Sequence, residues 1–210
     1  MNIVLLLCLI TVGLVVGMFI ALIQVYGHQV LVKSAIVYEW FFRGIPEIVL
    51  LMLVYFGLRQ FGVALSPFVA AVIALGLRSS AYQSQIFRGT IQSVGQGQTL
   101  AALSLGMTHF GAIRRVVLPQ AFRLSVPSWS NEFTSALKDT TLAYTIGVVE
   151  VLREARYLVA REFELALPAF IVVALLFLVL ILIGNWCLQR LDDRLRVPGF
   201  EQTSAMGRNA

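Results

Sequence analysis

Two groups of polar residues interrupt runs that are otherwise apolar, and they hold most of the side chains in this chain able to do chemistry. The first comprises Arg78, Ser79, Tyr82, Gln83 and Gln85; the second runs from Ser125 through Ser128, Ser130, Asn131, Glu132, Thr134 and Ser135 to Lys138, Asp139, Thr140 and Thr141. On a helix Arg78, Tyr82 and Gln85 fall at i, i+4 and i+7 and so share a face. Glu132 and Ser135 share another, with Ser128 and Asn131 close to it. Ionisable groups in apolar surroundings are costly, and they line a polar cavity or pair with one another. Arg78 carries a planar fork suited to a carboxylate. Two readings of it stand side by side: it receives an anionic group of a solute, or it pairs with Glu132 or Asp139 and stiffens the molecule. The hydroxyls alone suit hydrogen bonding between helices, whereas Glu132, Lys138 and Asp139 together point to a lined pathway.

The elements that position these groups belong to a membrane protein. Of 210 residues 59% are hydrophobic and only 13% charged, and the mean hydropathy is +0.84. A soluble domain carries about a quarter of its residues as charges. The net charge of +5 comes from scattered basic residues, which argues against a nucleic-acid partner and for loops on the cytoplasmic side. Cys8 and Cys187 lie in apolar runs and read as small core residues. His28 and His109 stand apart from each other and from any carboxylate pair, so neither a zinc site nor a nucleophile constellation is expected.

Five spans are expected. Ile3 to Val25 is long enough to cross a hydrocarbon core of about 30 Å, and it reads as a retained helix because no positive charge precedes it. Ala35 to Leu58 is a second span, interrupted at Arg43, Gly44, Pro46 and Glu47, where Pro46 predicts a bend or a fresh start. Ser66 caps a third span from Pro67 to about Phe87. A fourth opens at Pro119 and runs to about Leu137. Lys138 to Glu164 is a loop or re-entrant element, and Leu165 to Leu188 is the last span. With the N-terminus outside and the C-terminus cytoplasmic, the inner side holds Lys33, Arg43, Arg88, Arg114, Arg115, Arg123, Arg190, Arg194, Arg196 and Arg208. The outer side holds Arg59, Arg153, Arg156 and Arg161. Ten against four favours this orientation. Residues 1–196 read as one transmembrane domain and 197–210 as a cytoplasmic tail.

The segment at about 89–118 is then cytoplasmic. Leu100, Leu103, Met107 and Phe110 recur at steps of three and four, an apolar stripe on a helix. Gly106 interrupts the stripe, and Thr108 is placed to cap a second short helix that ends near Arg114 and Arg115. A helix–turn–helix beside the membrane follows, either resting on lipid or docking a cytoplasmic protein.

The spacing of Ala101, Ala102 and Gly106, followed by Leu118-Pro119, resembles the coupling-helix signature of ABC importer permeases. The chain is similar in particular to permeases of the polar amino acid uptake group. "FFRGIP" (Phe41 to Pro46), "AYQSQIFRG" (Ala81 to Gly89), "IQSVGQGQ" (Ile91 to Gln98), "RRVVLPQAFRLSVP" (Arg114 to Pro127) and "NEFTSALKDTTL" (Asn131 to Leu142) carry the likeness. It implies an all-α membrane fold of about five transmembrane helices with a cytoplasmic coupling helix. It also implies a second permease subunit, identical or homologous, two ATPase subunits and an extracytoplasmic solute-binding protein, in a bacterial inner membrane. Leu100, Ala101, Ala102, Leu103, Gly106, Met107, Phe110, Arg114 and Arg115 would meet the ATPase.

The pathway would be lined by Arg78, Ser79, Tyr82, Gln85, Asn131, Glu132, Ser135, Lys138, Asp139 and Thr140. For an amino acid, Arg78 would take the carboxylate and Glu132 or Asp139 the ammonium. No Gly-x-x-x-x-Gly-Lys-Ser/Thr pattern occurs, so no cofactor is expected on this chain, and ATP and magnesium belong on the partner ATPase. The chain departs from the group's pattern at Leu100 and Gln85, where relatives carry Glu, at Ile45, where they carry Thr, and at Arg78, where they carry Asn. The loss of Glu at Leu100 leaves a second reading open, a non-transporting structural or assembly subunit.

Overall fold

The computed structural model describes residues 1–195, and the tail expected at 197–210 lies outside them. Its elements are helical. Helix α1, Asn2–Tyr26, is apolar throughout and ends at Gly27. Helix α2, Gln29–Gly44, starts almost at once, with the His28 side chain accepting from the Val30 amide. The second membrane element thus begins earlier than its hydropathy suggests, and Lys33 lies inside a helix rather than in a connection.

Pro46 breaks that element as expected. Helix α3, Glu47–Met52, follows at once, widens into a π turn at Leu53–Gly57 and closes as α4, Leu58–Gln60. The α2 axis and the Glu47–Gln60 axis differ by 103°. Proline lacks the amide donor and forces Ile45 into extended backbone, so the ladder cannot continue.

Helix α5, Pro67–Ser93, is the centre of the molecule. Ser66 caps it, its hydroxyl accepting from the Val69 amide at 3.3 Å. Helix α1 lies against it through small residues: a Cβ at Gly17 would sit 2.8 Å from the Ser80 carbonyl, and one at Gly76 would sit 2.9 Å from Val12 Cγ1. Apolar side chains gain nothing by leaving lipid for one another, so such close backbone approach is what joins membrane helices. Around this pair the core gathers Leu5, Leu9, Leu51, Ala74, Leu75 and Leu137.

Helices α6, Gln96–Ser104, and α7, His109–Ala112, form the segment expected at about 89–118. Gly106 adopts φ +81 between them, and Thr108 caps α7 by accepting from the Gly111 amide at 3.1 Å. The chain does not restart at Pro119. It continues from α7 through a π turn at Ile113–Val117 into α8, Leu118–Asp139. The π turn shifts the carbonyls that a proline ring would otherwise meet, and Gln120 Nε2 donates to the Val116 carbonyl at 3.0 Å where the ladder changes register.

A 3₁₀ turn at Thr140–Ile146 leads to α9, Val151–Arg161, a helix within the stretch expected to be a loop or re-entrant. Helix α10, Ala166–Leu195, completes the described chain. It meets α8 where the Phe133 ring lies on Gly184 and Thr134 Oγ1 bonds Asn185 Oδ1 at 3.1 Å. Cys8 is half-buried on α1, but Cys187 is exposed on α10 rather than in a core.

By length and composition α1 and Phe163–Leu195 are able to cross a membrane, with the bent α2 pair as a third candidate. Helices α5 and α8 are long enough, roughly 40 and 33 Å at 1.5 Å per residue. Their lower hydropathy comes from the polar groups that form the site.

Candidate functional site

Arg78 stands eleven residues into α5, roughly 17 Å from its start. Its guanidinium donates to Asp139 Oδ2 at 2.9 Å and forms a second ion pair with Glu47. Three elements therefore meet at one cation: α5, the first residue of α3 after the Pro46 bend, and the last residue of α8. The Tyr82 ring, one turn along α5, carries the Arg78 guanidinium 4.7 Å from its centroid and that of Arg43 at 4.8 Å. The side chains of Arg78, Asp139 and Glu47 are 13, 20 and 30% exposed, so the cluster is open on one side.

Ser79 points the other way and joins a buried network. Its hydroxyl donates to Glu132 Oε1 at 2.6 Å and accepts from Gln83 Nε2 at 3.1 Å. Gln83 Oε1 accepts from Trp129 Nε1 at 2.9 Å, and Gln83 Nε2 also reaches the Ile10 carbonyl at 3.4 Å. This chain of bonds ties α1, α5 and α8 together. Glu132 is 6% exposed. It pairs with a serine and not with Arg78.

A second buried carboxylate, Glu39 of α2, accepts from Ser84 Oγ at 2.5 Å and Gln85 Nε2 at 3.3 Å, while Tyr38 OH shares a hydrogen bond with Ser80 Oγ at 2.7 Å. Gln85 thus serves α2, although it shares a face with Arg78 and Tyr82. Thr140 is fully buried, and its hydroxyl accepts from Asn2 Nδ2 at 3.1 Å. The same Asn2 amide reaches Glu150 Oε2 at 3.1 Å, and Glu150 in turn caps α9.

On α8 the buried residues Ser125, Glu132 and Ala136 define one side. Ser128, Asn131, Ser135 and Lys138 are all exposed, spaced by three, four and three. They make a polar stripe on a helix long enough to span the membrane, and it ends beside Asp139.

In the α6–α7 segment Ala102 and Ala112 are buried and Leu103 and Met107 half-buried. Leu100, Leu105 and Phe110 are 61, 84 and 72% exposed. Ala101, Gly106, Arg114 and Arg115 are exposed as well. Leu105 lies outside the periodic stripe and is nonetheless the most exposed of these apolar side chains, because it follows the end of α6 at the turn into Gly106.

A family model described as the inner membrane component of binding-protein-dependent transport systems matches residues 13–197. The chain belongs to this family. The permease is 39% identical over 181 residues to the probable amino-acid permease protein YxeN of Bacillus subtilis (strain 168), covering 85% of this chain and 80% of that protein. It is 33% identical over 187 residues to the glutamine transport system permease protein GlnP of Escherichia coli (strain K12), covering 88% and 85%. A crystal structure of an amino acid ABC transporter with histidines contains a chain 36% identical, with a TM-score of 0.83 over 92% of this chain and 90% of that one. The inward-facing MetNI methionine ABC transporter shares the fold, with a TM-score of 0.75 at 18% identity.

Against this architecture the sequence reading missed three residues. Glu47 and Glu39 are single carboxylates inside apolar runs, a signal present in the sequence, but their partners lie on α5, far along the chain. Arg43, counted with the inner basic residues, sits on the Tyr82 ring at the depth of Arg78. Removing it leaves nine against four, the same sign.

Proposed function

We propose that this permease is the translocation subunit of an ATP-driven importer for a polar amino acid or a derivative of one. The polar stripe Ser128–Asn131–Ser135–Lys138 carries the reading. Four exposed polar side chains along one face of a membrane-depth helix are tolerated where that face meets water rather than lipid. The relatives named for amino acids, cystine and glutamine support the substrate class. A second permease chain, identical or homologous, would close the pathway across the stripe. Two ATPase subunits carrying ATP and magnesium would dock on Leu100, Leu105 and Phe110, and a solute-binding protein would deliver substrate to the outer end. The N-terminus lies outside and the C-terminus in the cytoplasm.

A mild-detergent pulldown of the tagged chain from its native membranes, followed by uptake of tritiated amino acids by the recovered complex in proteoliposomes with ATP inside, tests the reading. An ATPase at one copy per permease chain and ATP-dependent uptake of an amino acid are expected. A folded chain that brings down no ATPase overturns it and moves the structural-subunit reading to the front.

A further inference from the structure

The guanidinia of Arg43 and Arg78 rest on the same ring, 4.8 and 4.7 Å from the centroid of Tyr82, but their charges are treated differently. Arg78 is saturated by Asp139 and Glu47 and is 13% exposed. Arg43 is exposed, and among the described residues no carboxylate pairs with it. Glu39, one turn earlier on α2, is occupied by Ser84 and Gln85.

Depth makes this arrangement costly. Tyr82 stands fifteen residues into a helix of 27, roughly 22 Å along its axis, which puts both guanidinia far from either end. An unpaired cation facing lipid there costs several kcal/mol, whereas one facing a water-filled path does not. The Arg43 guanidinium lies 4.8 Å from the Tyr82 ring centroid, and among the described residues no salt bridge takes its donors, so they can meet a planar anion.

We infer that Arg43, not Arg78, is the residue that receives the carboxylate of the amino acid in the pathway, while the Arg78–Glu47–Asp139 cluster fixes the ring on which Arg43 rests. The inference rests on the import reading above. The carboxylate is the anionic group that all amino acids share, so Arg43 serves the class and leaves side-chain selection to other residues.

The test uses the complete complex in lipid nanodiscs, without the binding protein, so that only the membrane subunits select. Scintillation binding of the twenty common tritiated amino acids and cystine identifies what the wild type binds, and the α-carboxamide of that compound serves as competitor. Arg43→Gln weakens binding of the free amino acid by about tenfold to a hundredfold, as expected for loss of a charge-assisted fork. The carboxamide competes equally with both proteins, and Arg43→Lys restores part of the loss. Unchanged binding, or equal loss for acid and amide, overturns the inference and leaves the import reading intact. If the wild type binds none of the panel and, in proteoliposomes with its solute-binding protein added, transports none of it, the import reading itself fails.

Accessibility gives a second readout that does not depend on affinity. Arg43→Cys, in a Cys8→Ala, Cys187→Ala background, is labelled in the folded complex by the anionic reagent sulfonatoethyl methanethiosulfonate, and bound amino acid slows labelling. A monodisperse complex that resists the reagent places Arg43 outside the path and overturns the inference.

Discussion

The cluster around Arg78 and the segment around Gly106 are both exceptions to the apolar pattern of this chain, and they differ in where their partners lie. Arg78 takes its partners from α3 and α8 of the same chain, and both carboxylates are in place on folding. The α6–α7 segment folds its backbone with its own groups, through the Thr108 cap and the Met107 amide bonded to the Ala102 carbonyl at 3.2 Å. Its largest apolar side chains nevertheless remain in the open. Leu100, Leu105 and Phe110 are 61, 84 and 72% exposed, and in the import reading proposed above an ATPase subunit would cover them. Folding completes the first region, and in that reading assembly would complete the second.

Substitutions that separate folding from assembly break or sharpen this contrast. The largest effect is expected for Arg78→Asn, which leaves Glu47 and Asp139 facing one another without their cation. Removing one member of a buried ionic cluster costs about 3 kcal/mol, so the detergent-solubilised protein should unfold at clearly lower temperature while the folded fraction still retains its ATPase. An unchanged melting curve would show that the cluster does not hold the helices together. Phe110→Asp should do the reverse. A charge placed in the centre of an apolar ridge is expected to weaken ATPase retention by about tenfold to a hundredfold, measured by co-purification, with the melting temperature of the permease unaltered. Leu103→Glu should act in the same direction and less strongly, since Leu103 is half-buried.

Smaller effects are expected where hydrogen bonds alone join the helices. Gln83→Leu removes the acceptor of Trp129 and the donor to Ser79, a change of about 1 kcal/mol given how little such bonds contribute inside membranes. Thermal unfolding checks it, and a loss as large as that of Arg78→Asn would show the Ser79–Gln83–Glu132 network to be the stronger clamp. Asn2→Ala frees Thr140, Glu150 and the Val151 amide, at a cost of about 0.6 kcal/mol. Its expected readout is faster hydrogen exchange at the first amides of α9, with the rest of the molecule unaffected.

Local signals were legible wherever one residue type had a single conformational consequence. Ser66, Pro67, Gly106 and Thr108 each announced a cap or a turn, and each forms it. Pro46 announced the bend for the same reason. Pro119 misled, because a proline near a helix start reads as a beginning, and the π turn before it lets the helix run through. Helix α9 was not foreseen. Its charges, Arg153, Glu154, Arg156 and Arg161, suit a loop as well as an exposed helix, and the side chain that starts it is held by Asn2.

The candidate site divides along the same line. That Arg78, Glu132 and Asp139 must have partners followed from their cost in an apolar run, and the spacing of Arg78 and Tyr82 placed them together correctly. Which carboxylate goes to which donor did not follow. Glu132 and Ser135 are three residues apart, yet one is buried and the other exposed, because the border of the helix face falls between them.

Composition and periodicity alone determined that this chain is a helical membrane protein, where its main breaks lie, and that two short helices meet at Gly106, since burial of apolar length and local backbone preference are properties of neighbouring residues. Tertiary structure decided that Arg78 is neutralised by Glu47 and Asp139 while Arg43, resting on the Tyr82 ring, has no carboxylate partner among the described residues. The Pro46 bend of 103° and the packing of α8 against α5 bring residues 47, 78 and 139 to one point. Charges choose partners by distance in space, which spacing along the chain does not encode.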